Sequence, residues 1–171
     1  MKHLHLLLII AVFVIKLGAE QNSSNAVLLV YENTRFKRNL ITEMEKILSQ
    51  NEVNVTVTTH SKNDVAIENP SQYGAIFISN SGVNSQVRPW ITAWLEQTDF
   101  RNILLHTTQT RDWQVETEFD AVTSASSNSE AAKLAQDYSQ KLLLFLSSSE
   151  EESGTPDHDQ TTENENDEET E

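Results

Sequence analysis

Three short stretches limit this chain more than anything else in it. Ala26–Tyr31 reads AVLLVY, Ala75–Ser79 reads AIFIS, and Ile103–Leu105 lies within NILLHT. Each is apolar on consecutive residues, so each would be buried on both faces as a strand. Strands of that kind sit inside a parallel sheet covered by helices. Val53–Thr59, VNVTVTT, alternates instead. Val53, Val55 and Val57 face one way, and Asn54, Thr56 and Thr58 the other, as expected of an edge strand with one wet face. Phe119–Thr123, FDAVT, is a short fifth candidate.

Helical spacing falls between these strands. Phe36, Leu40, Ile41, Met44, Ile47 and Leu48 form one apolar stripe. Val87, Ile91, Trp94 and Leu95 form a second, with Pro89 in the first turn, where its missing N–H costs nothing. Ala131, Leu134, Ala135, Tyr138, Leu142 and Phe145 form a third behind the capping box Ser127-Asn128-Ser129-Glu130. The order strand, helix, strand, strand, helix, strand, strand, helix predicts an α/β three-layer sandwich. The edge character of Val53–Thr59 selects a mostly parallel five-stranded sheet of order 2-1-3-4-5. Ser61–Gln72 and Gln109–Glu118 show no clear helical pattern.

The ends read differently. Met1–Ala19 has Lys2, an apolar run from Leu4 to Ile15 broken only by His5, and small residues at Leu17-Gly18-Ala19. That is the grammar of a secretory signal peptide. The run is shorter than the roughly 20 residues that span a bilayer, so no stable span is expected after cleavage. Localisation is expected to be secreted or periplasmic. Ser147–Glu171 holds 11 acidic residues and no Lys or Arg, and is expected to be a disordered, solubilising tail. The domain is therefore Glu20–Leu146, with 15 acidic and 10 basic residues. The net charge of −14 comes mostly from the tail, and no basic patch invites nucleic acid. The chain has no Cys, which removes disulfides and thiol chemistry. Its histidines lack the spacing of a metal site.

Element order and strand character resemble the flavodoxin-like superfamily over Asn25–Leu146. VLLVYENTRFKRNL resembles its first strand, phosphate loop and first helix. AIFISNSGVNSQVRPWITAWL resembles the third strand, its loop and the following helix, and ILLHTTQTRDWQ the fourth strand and loop. The resemblance implies an FMN flavoprotein of electron transport, working with a redox partner protein. It implies a phosphate site at Asn33, Thr34 and Arg35. The flavin ring would lie between Ser79–Ser85 (Ser79, Asn80 and Ser81 foremost) and Thr107–Trp113 (Thr107, Thr108 and Trp113). The loop ENTRFK departs from the family by having no Gly, and Glu32 sets a negative charge beside the phosphate position.

Asp120-Ala121-Val122-Thr123-Ser124-Ala125-Ser126 is similar to the acidic-x-x-Ser/Thr-Gly-Ala-Ser/Thr signature of covalently flavinylated extracytoplasmic proteins, with Ser124 at the Gly position. That likeness implies Ser126 as acceptor of the FMN phosphate and Asp120 as its acidic partner. The same residues also read as strand, tight turn and a Ser127 helix cap. Ser81 with His106 is a third arrangement, a nucleophile and base at neighbouring strand ends. Asn22-Ser23-Ser24 and Asn54-Val55-Thr56 are glycosylation sequons in a eukaryotic secretory route. Two functions fit these features: an exported FMN electron carrier, or a non-catalytic secreted module that binds another protein.

Overall fold

The structure is a computed structural model describing residues 25–60, 67–84, 86–109 and 117–152, with side chains through 148. Its strands are β1 (Ala26–Glu32), β2 (Asn54–His60), β3 (Ala75–Ser81), β4 (Ile103–Thr108) and β5 (Asp120–Ser124). Its helices are α1 (Arg35–Gln50), α2 (Pro89–Gln97) and α3 (Ala131–Glu152), and a 3-10 turn covers Pro70–Gln72. The sheet order is β2-β1-β3-β4-β5, as the edge character of the second strand predicts. All four pairings are parallel.

Each face of the sheet has its own core, because successive strand residues point to opposite sides. On one face Val27, Leu29, Phe77 and Leu104 meet Phe36, Leu40, Ile41, Met44 and Leu48 of α1 and Ala131, Ala135, Tyr138 and Leu142 of α3. On the other, Leu28, Val30, Ile76, Ile78, Ile103 and Leu105 meet Ile91 and Leu95 of α2. Every residue of β4 is buried, whereas β2 is exposed at five of its seven positions. A Leu, Ile or Phe moved from water into such a core contributes roughly 1.5–3 kcal/mol before entropy is counted, so the three central strands dominate stability.

α1 ends in a Schellman arrangement: Glu52 N–H bonds Ser49 O at 3.2 Å and Val53 N–H bonds Leu48 O at 3.1 Å. Glu52 holds the left-handed position (φ 61°) that glycine usually takes. α2 opens with Pro89 at its first turn. α3 departs from expectation at both ends. It begins at Ala131, so Ser127 is not its cap; the Ser127 carbonyl instead accepts from Glu130 N–H at 3.1 Å and closes a turn ahead of the helix. Its last turns run through Glu152, so Ser147–Glu152 are helical rather than part of the acidic tail. The rest of that tail, the leader Met1–Ala19, and Trp113 lie outside the described residues. Among the described residues, no helix is long and apolar enough to cross a membrane.

Candidate functional site

Parallel pairing brings Tyr31, Ser79 and His106 into one row, since Tyr31 pairs Ser79 and Ser79 pairs His106. The carboxyl ends of β1, β3 and β4 therefore gather at one edge. β1 continues into α1 on one face, and β3 leads to α2 on the other. Neighbouring strands whose connections leave to opposite faces form the switch point where open α/β sheets take ligands.

In this protein a lysine occupies that point. Lys37, in the first turn of α1, leaves only 1% of its side chain exposed. Its Nζ donates to Ser81 Oγ at 2.7 Å, Glu32 Oε2 at 3.2 Å and Thr108 Oγ1 at 3.2 Å. An ammonium has three protons, so these acceptors use all of them. The second Glu32 oxygen, Oε1, accepts from Arg88 Nη2 at 3.0 Å. Burial works against the Glu32 carboxylate, but the Ser81 hydroxyl, Lys37 and Arg88 outweigh it and hold its pKa below the usual value. For Lys37 the balance goes the other way: burial outweighs the Glu32 charge and lowers its pKa. A carboxylate with two cations can stay ionised more easily than one enclosed ammonium sharing that carboxylate with Arg88.

A second polar row lies below the first. His106 is buried, with Nδ1 at 2.8 Å from Ser79 Oγ and Nε2 at 2.9 Å from Ser124 Oγ. Its ring stacks on Phe77 at 5.9 Å and meets Tyr138 at 5.2 Å and Phe36 at 6.3 Å. Burial and then the Lys37 charge push its pKa down to about 3. Burial likewise pushes the Tyr138 phenol up to about 12 against an opposing hydrogen bond from Ser124. The result is a neutral imidazole sealed in the core between two serines. The Ser81–His106 arrangement is not formed, because Ser81 belongs to Lys37 and His106 to Ser79 and Ser124.

The residues expected at the phosphate site turn inward on the chain itself. Only Asn33 and Thr34 link β1 to α1. Thr34 N–H donates to Glu32 O at 2.7 Å, and Thr34 Oγ1 caps the helix by accepting from Lys37 N–H at 3.3 Å. Asn33 Oδ1 accepts from Arg38 Nη1 at 2.7 Å, and Arg35 is exposed. A Thr34→Ala change is expected to cost about 1 kcal/mol of stability, the usual worth of such a cap, measured by urea unfolding.

The two ring loops contribute unequally. Ser81 and Thr108 join the Lys37 cluster. Asn80 Nδ2 is spent on His106 O and Thr107 Oγ1, both at 3.0 Å, which leaves its buried Oδ1 without a partner. Ser79 lies under the sheet against His106. Ser126 is exposed in the loop after β5, while Asp120 begins that strand. The two stand at opposite ends of β5, whose five residues extend roughly 13 Å at the usual rise per residue. Among the described residues no group of three or more His, Cys, Asp and Glu can hold a metal.

Among the described residues, part of this edge is taken up by the chain's own contacts. Two of the amides a phosphate would use, those of Thr34 and Lys37, are already bonded. Of the cations near this edge, Lys37 and Arg88 share the Glu32 carboxylate, while Arg35 is exposed in the first turn of α1. Lys37 and Arg88 were missed by sequence reading. The signal for Lys37 was present, since 37, 41, 44 and 48 lie on one helical stripe and the last three are apolar.

Strand order, all-parallel pairing and helices on both faces define a flavodoxin-like α/β fold, carrying an ion-pair cluster at its switch point. No family model matches the sequence, and no curated protein does. Among solved structures the chain is similar to a flavodoxin from the domain Archaea, at 11% identity and TM-score 0.47, over 69% of this chain and 99% of that one.

Proposed function

We propose that this protein is an exported, flavodoxin-like module that binds another protein and does not use FMN. The observation behind this is the Lys37 ammonium, enclosed by Glu32, Ser81 and Thr108 at the switch point and so turned to the chain itself instead of to a ligand. Electron transfer through the edge would require that cluster to open, separating a buried ion pair, which typically costs several kcal/mol. The composition of Met1–Ala19 supports export to a secreted or periplasmic location, with cleavage after Ala19. The net charge of −14, most of it in the C-terminal tail, argues against nucleic acid.

The test is a titration of purified protein with FMN, followed by quenching of flavin fluorescence and by the visible absorption spectrum. The expected result is a colourless protein and no saturable change. A stoichiometric yellow complex would overturn the reading and restore the electron carrier.

A further inference from the structure

The two edges of the sheet are protected to very different degrees. β5 has five residues and begins with the exposed Asp120. A short edge strand with a charge on it resists pairing with another chain. β2 has seven residues, NVTVTTH, and among the described residues it pairs with β1 alone. Val53–His60 contains no Asp, Glu, Lys, Arg or Pro. Thr56, Val57, Thr58 and Thr59 are exposed, with Val57 38% exposed. Valine and threonine favour extended backbone, so this edge is a ready template for a further strand. A second copy could lie antiparallel across it with Val57 opposite Val57, Thr56 opposite Thr58 and Asn54 opposite His60. No like charges would face each other in that register.

Secreted proteins need some guard on such an edge, and the first residue of β2 offers one. Asn54-Val55-Thr56 is a sequon, and the Asn54 side chain is exposed. Asn54 and Thr56 point to the same face, as residues two apart in a strand must. We propose that Asn54 is an N-glycan acceptor and that its glycan blocks strand pairing along the open edge of β2. A bulky, hydrated glycan at one end of a seven-residue strand takes the place of the charge that β2 lacks. The inference rests on the export reading, because the glycan is added to a chain that enters a secretory route.

The test is secretion of the full chain from eukaryotic cells, peptide mapping after enzymatic glycan release, and light scattering of the purified protein. Wild type is expected to carry a glycan at Asn54 and to be monomeric. Thr56→Ala should empty Asn54 and at least double the apparent mass, while Thr56→Ser should keep both the glycan and the monomer. Adding Val57→Lys to Thr56→Ala should restore the monomer, which excludes simple misfolding as the cause of association. A secreted wild type bare at Asn54, or a monomeric Thr56→Ala protein, overturns the proposal. A chain kept in the cytosol overturns the export reading and this inference with it.

Discussion

Lys37→Ala is expected to destabilise the fold by about 3–5 kcal/mol, the usual cost of removing one partner from a buried ion pair. The substitution leaves Glu32 with Arg88 as its one cation, and leaves the Ser81 and Thr108 hydroxyls without their charged donor. It also empties the space of four methylenes in a residue only 1% exposed. Urea unfolding by circular dichroism reads the loss as a lower midpoint. Lys37→Met combined with Glu32→Gln should recover much of it, since neutralising both partners removes the stranded buried charge. A Lys37→Ala cost below about 1 kcal/mol would describe an ordinary surface lysine.

Acid should destabilise the protein earlier than its carboxylates alone would. His106 has its pKa lowered from 6.5 to about 3 in the folded protein. Between those values the unfolded chain binds a proton that the folded chain does not, so stability is present above about pH 6.5 and falls with the pH. The slope from this one group approaches about 1.4 kcal/mol per pH unit, or about 2 kcal/mol between roughly pH 6.5 and 4.5. Glu32, also lowered, adds loss in the same direction at and below the ordinary carboxylate range. The lowered Lys37 pKa adds a rise of stability with pH below the ordinary lysine range. His106→Gln should be less stable at neutral pH, because both serines lose an imidazole partner. Its acid limb should be flatter by about one proton. A wild-type stability that is level across the window would mean that His106 is protonated in the folded state.

The architecture was legible because strand burial leaves a pattern of its own. Continuous runs marked β1, β3 and β4, and the alternation of Val53, Val55 and Val57 placed β2 at the edge. Pro89 marked the start of α2. The start of α3 was misjudged, because Ser127 and Glu130 form a turn whose cap-like spacing does not reach the helix. The site was less legible. Loop residues were chosen by analogy of position, yet the cluster is built from Glu32, Lys37 and Arg88. Lys37 looks like a surface residue by type and a core residue by spacing, and only the three acceptors 2.7–3.2 Å from its Nζ reconcile the two. Those acceptors come from β1, β3 and β4, so no local sequence window contains them.

The central claim is that Lys37 closes the ligand edge of the sheet, and acylation of lysines in the native protein tests it most directly. Lys46, Lys133 and Lys141 are exposed and should be modified rapidly, while Lys37 should stay unmodified until the protein unfolds. Modification of Lys37 at the same rate as those three would contradict the account.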